Sequence, residues 1–124
     1  MKFLKCKTCG VIVGVIQEPT DGVPFCGGDL EELIPNTTDA AGEKHVPVID
    51  IDGCKVTVTV GEVEHPMLEA HSIQWIALET KQGMQRKPLA PGKAPKASFA
   101  LAERDEVVAA YEYCNLHGLW KAEA

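Results

Sequence analysis

The chain has 124 residues, enough for one domain of ordinary size, or for one of about 85 residues beside a small metal-type knot. Eighteen acidic residues against twelve basic ones leave a net charge of −6, which argues against general nucleic-acid binding, because that needs a basic face. No stretch approaches the ~20 apolar residues of a membrane span, and Met1-Lys2-Phe3-Leu4-Lys5-Cys6 lacks the apolar run and cleavage site of a signal peptide. The expected compartment is the cytoplasm, where five cysteines read as metal ligands or free thiols rather than disulfide partners.

In chain order, Cys6-Lys7-Thr8-Cys9-Gly10 is a C-x-x-C knuckle whose two thiolates can grip one tetrahedral ion. Val11 to Ile16 reads as a short strand, and Pro19-Thr20-Asp21-Gly22 as a turn. Pro24-Phe25-Cys26-Gly27-Gly28 adds a single cysteine. An all-thiolate tetrahedral site needs four sulfurs, and these segments supply three. Cys6 and Cys9 are then ordinary reduced thiols or a degenerate site; the other reading is a three-cysteine site completed by water or Cys54.

Pro35 to Gly42 is small, polar and turn-rich and reads as a linker. From Val46 onward the pattern is β. Val48 to Ile51 and Cys54 to Val60 flank Asp52-Gly53, a strong hairpin signal, with Val56, Val58 and Val60 on one face. The bland expectation for Cys54 is a surface or half-buried thiol. Ser72 to Leu78 is the next strand, with Ile73, Trp75 and Ala77 expected on one face. Lys87 to Pro95 reads as loop with extended pieces, and Ser98 to Leu101 as a strand. The Ala and Glu content of Ala102 to Ala110 favours helix, but Val107 to Tyr113 reads as a strand leading into a Cys114 loop. Several short strands with turns between them argue an all-β sandwich.

The chemistry concentrates in Tyr113-Cys114-Asn115-Leu116-His117-Gly118, where a thiol and an imidazole three positions apart can turn to one ion across a bend. The other three histidines, His45, His65 and His71, stand in short segments placed to aim a ring: Glu43-Lys44-His45-Val46-Pro47, His65-Pro66-Met67 and Glu69-Ala70-His71. A lone histidine is more often an ordinary surface or core residue than a ligand. Together, four neutral imidazoles and one thiolate make five donors. Structural zinc is four-coordinate and does not suit that set, whereas imidazole with one thiolate suits iron and leaves a sixth position open.

These segments, with Trp75 and the closing Trp120-Lys121, resemble superoxide reductase of the desulfoferrodoxin family over nearly the whole chain. The resemblance implies an all-β fold, an immunoglobulin-like β-sandwich over residues 37–124 preceded by a small desulforedoxin-like β-knot over residues 1–36. It implies one mononuclear non-haem iron held equatorially by His45, His65, His71 and His117 and axially by Cys114. It implies one-electron reduction of superoxide to hydrogen peroxide, with Lys44 drawing in the anion and Glu43 capping the oxidised iron. Without the resemblance, Lys44 and Glu43 read as ordinary solvated side chains. A rubredoxin-like electron donor and a homodimer follow by the same resemblance; nucleic-acid and membrane partners do not. Cys6, Cys9 and Cys26 match the family's N-terminal iron site, but Phe25 stands where the first cysteine of an adjacent pair belongs, so no second iron is expected. The readings from other classes are an iron–sulfur-ligated electron-transfer protein and a zinc-binding structural module.

Overall fold

The computed structural model describes residues 1–20 and 28–124 and comprises two compact units, Met1–Ile34 and Pro35–Ala124. In the first unit, β1 (Phe3–Cys6) is the centre of a three-stranded antiparallel sheet, flanked by β2 (Ile12–Gly14) and β3 (Leu30–Glu32). Phe3 and Leu4 are its buried apolar side chains. The strand expected over Val11–Ile16 is shorter than its apolar run, because the four-residue β1 gives it few backbone groups to pair with. Ile16 is 97% exposed. The turn at Pro19–Gly22 falls partly outside the described residues, and Phe25 and Cys26 lie wholly outside them.

The second unit is a β-sandwich. One sheet has the order β4-β5-β8, from β4 (Pro47–Asp52), β5 (Lys55–Val60) and β8 (Lys96–Ala100). The other has the order β10-β9-β6-β7, from β6 (Ile73–Thr80), β7 (Gly83–Pro88), β9 (Val107–Cys114) and β10 (Gly118–Glu123). Pairing is antiparallel throughout. Val56, Val58 and Val60 share a face of β5 and meet Ile73, Ile76 and Leu78 of β6, Phe99 of β8, and Ala110 and Cys114 of β9 in one core. Alternation in β5 is therefore a half-buried strand's period of two. At roughly 1.5–3 kcal/mol for each fully buried aliphatic side chain, this core holds the sheets in register, and Cys114 at the end of β9 inherits that rigidity.

Four strands escape the sequence pattern: β1, β3, β7 and β10. The hairpin between β4 and β5 turns one residue later than expected. Asp52 pairs with Lys55, so Gly53 and Cys54 form the turn, with Gly53 at φ +61°. The facing of β6 also needs correction. Ile73 pairs with Cys114 while Trp75 pairs with Tyr113, so Gln74 is an extra residue in a β-bulge. One inserted residue reverses the parity of everything after it. Ile73 thus shares the core face with Ile76 and Leu78, while Trp75 stacks on Tyr113 on the other face, centroids 5.9 Å apart.

Ahead of β4 the chain makes one helical turn, α1 (Gly42–His45). The segment expected as a linker is in part bonded to the sandwich: Asn36 receives and donates hydrogen bonds with Lys121 backbone at 2.8 and 3.1 Å. The helical turn is seated on Gly61, whose N–H donates to Val46 O at 3.2 Å, and Val63 N–H donates to Glu43 O at 3.0 Å. Gly61 has φ +81°, and a Cβ there would lie 2.6 Å from Val63 O and 2.8 Å from Glu43 O. Backbone atoms cannot swing aside as a side chain can. Gly61→Ala should therefore lower unfolding free energy by about 2 kcal/mol or more and displace His45. Urea unfolding and metal retention measure the two effects; a variant matching the parent in both would show that α1 is seated some other way.

Candidate metal centre

Five side chains converge at one end of the sandwich. His45 ends α1, and His65 and His71 lie in the connection between β5 and β6. Cys114 is the last residue of β9, and His117 lies in the turn before β10. Two loops are fastened to each other here by Asn115. Its Oδ1 accepts from Ser72 N–H at 3.0 Å, its Nδ2 donates to Ala70 O at 3.0 Å, and its own N–H donates to Ser72 O at 3.3 Å. Leu68 and His71 exchange backbone hydrogen bonds at 2.8 and 3.1 Å. Gly118, at φ +78°, lets the chain turn straight back from His117 into β10.

The rings are aimed by their outer nitrogens. His45 Nδ1 lies 2.8 Å from Ala41 O and His65 Nδ1 lies 2.6 Å from Pro66 O. A carbonyl only accepts, so both Nδ1 atoms carry the proton and both Nε2 lone pairs point inward. Burial pushes the pKa of His65 down to about 4 and lowers those of His45 and His71. In each case loss of solvent is the first cause, and neighbouring cationic groups add to it, Lys44 among them for His45 and His71. These imidazoles are neutral, the form that ligates metal.

Inside the ring of donors the Nε2 lone pairs of His45 and His65 face each other, and the remaining ligand atoms crowd round them. His65 Nε2 is 3.2 Å from His45 Nε2, and His45 Nε2 is 3.1 Å from His117 Nδ1. Cys114 Sγ is 3.5 Å from His65 Nε2 and 3.9 Å from His117 Nδ1. His71 Nε2 is buried without a hydrogen-bond partner among the described residues. One ligand atom from each of the five lies within 4.8 Å of all the others. A metal–nitrogen bond of about 2.1 Å puts ligands at right angles about 3.0 Å apart and opposed ones about 4.2 Å apart. The donor set fits a single metal ion of five or six coordination, and it exceeds the four ligands of a structural zinc.

Cys114 is fully buried. Burial raises its pKa, and backbone N–H groups of Leu116 and His117, which donate to the sulfur, partly oppose that. The thiol therefore loses its proton to the metal rather than to water.

The desulfoferrodoxin family profile matches residues 37–123. Desulfoferrodoxin of Nitratidesulfovibrio vulgaris is 48% identical over 123 residues, 99% of this chain and 96% of that protein. A desulfoferrodoxin homolog of Archaeoglobus fulgidus is 43% identical over 122 residues, 98% of this chain and 96% of that one. The crystal structure of the superoxide reductase from Treponema pallidum superposes with a TM-score of 0.79 at 40% identity, covering 97% of this chain and 98% of that chain. The chain belongs to the desulfoferrodoxin family.

Within this desulfoferrodoxin-type site, Lys44 is exposed and lines a cavity with His65. Glu43, also exposed, lines a different cavity with Val46, Pro47, Val48 and Glu62. Cys6 Sγ accepts from Cys9 N–H at 3.4 Å, and that bond, first among its causes, lowers the Cys6 pKa. Cys9 and Cys54 are exposed free thiols.

Two further residues adjoin the centre: Glu112, which the sequence does not single out, and Trp120, which it marks only as part of the family resemblance. Glu112 is fully buried, two residues before Cys114, with both carboxylate oxygens unpartnered among the described residues. Its cross-strand neighbours are Ile76 and Trp120, and burial pushes its pKa up to about 9. At neutral pH it is a neutral acid and lays no negative charge beside the thiolate. Trp120, 4% exposed, stacks on the His45 ring with centroids 4.9 Å apart and donates its Nε1–H to His117 O at 3.0 Å. One indole thus holds two ligands that are 72 positions apart in sequence.

Partners that orient ligands typically carry a 10- to 100-fold effect on metal affinity when mutated. Trp120→Leu, which loses both contacts, should weaken metal binding by about tenfold. Trp120→Phe, which keeps a ring over His45, should weaken it less. Cobalt competition titrations on variants whose circular dichroism matches the parent measure this, and equal affinities would reduce Trp120 to a packing residue.

Proposed function

We infer that this chain is a superoxide reductase, with His45, His65, His71, His117 and Cys114 as the ligands of one mononuclear non-haem iron. The observation that supports it most directly is the convergence of four imidazole nitrogens and one sulfur within 4.8 Å, in a chain 40% identical to a solved superoxide reductase. Iron held by these residues would supply the one electron that, with two protons, converts superoxide to hydrogen peroxide.

The chain's own residues prepare that step. The His45, His65 and His71 rings stay neutral because burial disfavours their cations, so their lone pairs are free to bind a metal and no imidazolium competes with it. Cys114 donates from the buried side, and the Leu116 and His117 amides that bond its sulfur moderate that donation. Trp120 and Asn115 hold the ring and loop geometry. Lys44, exposed beside His65, draws the anion to the site and stabilises the charge that builds on oxygen. Glu43 is the carboxylate that closes the site in the oxidised enzyme; its place in a separate cavity means its side chain has to swing inward to do so.

The remaining assignments rest on family resemblance. Residues 1–36 are a desulforedoxin-like knot whose three cysteines, with Phe25 beside Cys26, hold no iron. Residues 37–124 are the catalytic sandwich. Electrons come from a rubredoxin-like donor, and the chain works as a homodimer in the cytoplasm. No helix among the described residues is long and apolar enough to cross a membrane.

Protein purified without oxygen should hold one iron per chain, and after oxidation it should show a thiolate-to-iron charge-transfer band. Cys114→Ser should lose the band and the reaction with superoxide while the sandwich stays folded, because a hard oxygen donor lacks the sulfur's soft donation. A second, tetrahedral sulfur-bound iron by Mössbauer spectroscopy would overturn the assignment of an empty knot. A band that survives in Cys114→Ser would place the thiolate elsewhere.

Lys44→Ala should slow the second-order reaction with superoxide and make the residual rate less sensitive to salt, since salt screens such attraction over ~10 Å at 0.1 M. Pulse radiolysis at several ionic strengths gives both quantities; an unchanged rate and slope would make Lys44 a bystander.

A further inference from the structure

A cavity of about 560 Å³ opens beside the metal centre, lined by Lys44, Glu64, His65, Met67, Gly92 and Lys93 among others. His65, almost fully buried, is one of the five converging donors and the one among them that lines the cavity, which therefore lies beside that ligand's ring. Lys93 comes from the connection between β7 and β8, far along the chain from Lys44, and nothing in its local sequence marks it. The chain nevertheless holds it in place. Gly92 N–H donates to Met67 O at 2.8 Å, which fastens this connection to the His65 loop. Gly92 has φ +84°, a left-handed turn that favours glycine. Three residues on, Pro95 O accepts from Val60 N–H at 2.8 Å, at the end of β5. Lys93 therefore stands between two anchored points.

Lys2, Lys7, Lys81 and Lys121 each have a glutamate partner, at Glu18, Glu31, Glu106 and Glu123. Among the described residues neither Lys44 nor Lys93 is in an ion pair, and both face the one cavity with a single carboxylate, Glu64, beside them. Lys55, Lys87 and Lys96 are also without an ion pair among the described residues, so what sets this cavity apart is two lysines facing one space. Two ammonium groups against one carboxylate leave a local excess of +1 in a chain of net charge −6. The cavity is wide open to solvent, so these two ammonium groups act on an anion through water as it approaches.

We propose that this cavity is an anion-collecting vestibule of the metal centre, and that Lys93 is its second cation, acting with Lys44 to gather small monovalent inorganic anions. Superoxide as the anion gathered in turnover rests on the function inferred above; the vestibule itself does not. Lys93 acts on approach and touches no ligand, so its effect belongs to association rates and not to the spectrum of the site.

The test uses the whole iron-loaded protein and its Lys93→Ala and Lys93→Glu variants. The control is Lys55→Glu, which makes the same charge change at the end of β5 remote from His65. Second-order rates with superoxide are measured by pulse radiolysis over a range of salt, and association of azide with the oxidised protein by stopped flow. Lys93→Ala should lower both rates about twofold and Lys93→Glu about fivefold, the size a unit charge exerts across roughly 8 Å of water. The salt slopes should flatten for Ala and reverse for Glu, the absorption spectra should stay unchanged, and Lys55→Glu should remain near the parent. Equal rates and slopes for Lys93→Glu and Lys55→Glu would overturn the vestibule while leaving the superoxide chemistry intact. A parent protein inert to superoxide, with azide association still dependent on Lys93, would support the vestibule and reject superoxide as its anion.

Discussion

The centre depends on one electrostatic constraint: lone pairs that face each other with no proton between them. His45 and His65 turn their N–H groups outward to Ala41 O and Pro66 O, which leaves their Nε2 atoms 3.2 Å apart and both unprotonated. Two acceptors at that distance repel. The usual remedy in a protein is protonation of one partner, but burial disfavours the imidazolium on both. The Cys114 sulfur and the unpartnered His71 Nε2 complete the pocket. A multivalent cation resolves all of these contacts at once, so affinity for metal is built into the way the backbone carbonyls orient the rings.

Holding such an arrangement open requires a scaffold that does not relax. The sandwich supplies it through the core of Val56, Val58, Val60, Ile73, Ile76, Leu78 and Phe99, and Cys114 belongs to that core as well as to the site. The loops are less regular and are fixed by specific bonds: Asn115 to Ser72 and Ala70, Gly61 under α1, Trp120 across His45 and His117. Glu112 is the clearest sign that stability is not the only demand on this region. Its pKa near 9 means the folded chain retains a proton that the unfolded chain releases above about pH 4.5. By linkage the group lowers stability progressively as pH rises through that interval. An apolar residue there would avoid this cost.

The five converging donors were legible in sequence through the family resemblance of their motifs and through constraints that are local. Proline after His65, the three-residue step from Cys114 to His117 and Gly118 after it all act within one turn of chain, and the structure brings all five donors together. The β5 face was legible for a similar reason: Val56, Val58 and Val60 alternate without interruption. Legibility ended where a residue's environment is set by a distant strand. Gly83–Pro88 and Gly118–Glu123 carry no clean alternation and become strands because β6 and β9 offer them backbone partners. The bulge at Gln74 cannot be seen in β6 alone, since it exists only relative to β9. Lys93 is invisible in the same sense, and Trp120, which enters the sequence reading only through the family resemblance, shows its contacts with His45 and His117 only in the fold.

The two sides of the site are built for opposite electrostatic tasks. On the sulfur side everything negative is removed from solvent or neutralised: Cys114 is fully buried, its sulfur accepts two backbone amides, and Glu112 is held as a neutral acid. A thiolate at the surface would repel an approaching anion; Cys114, buried in the core, would set its charge against a bound cation instead. On the cavity side the groups are exposed and predominantly cationic, where a field reaches an anion in solution but is attenuated by water and salt. Net charge is therefore a poor guide to what this chain attracts. Its excess of acid is distributed over the surface and partly paired with lysine, whereas the charge that an incoming anion meets is set by a few side chains at one mouth.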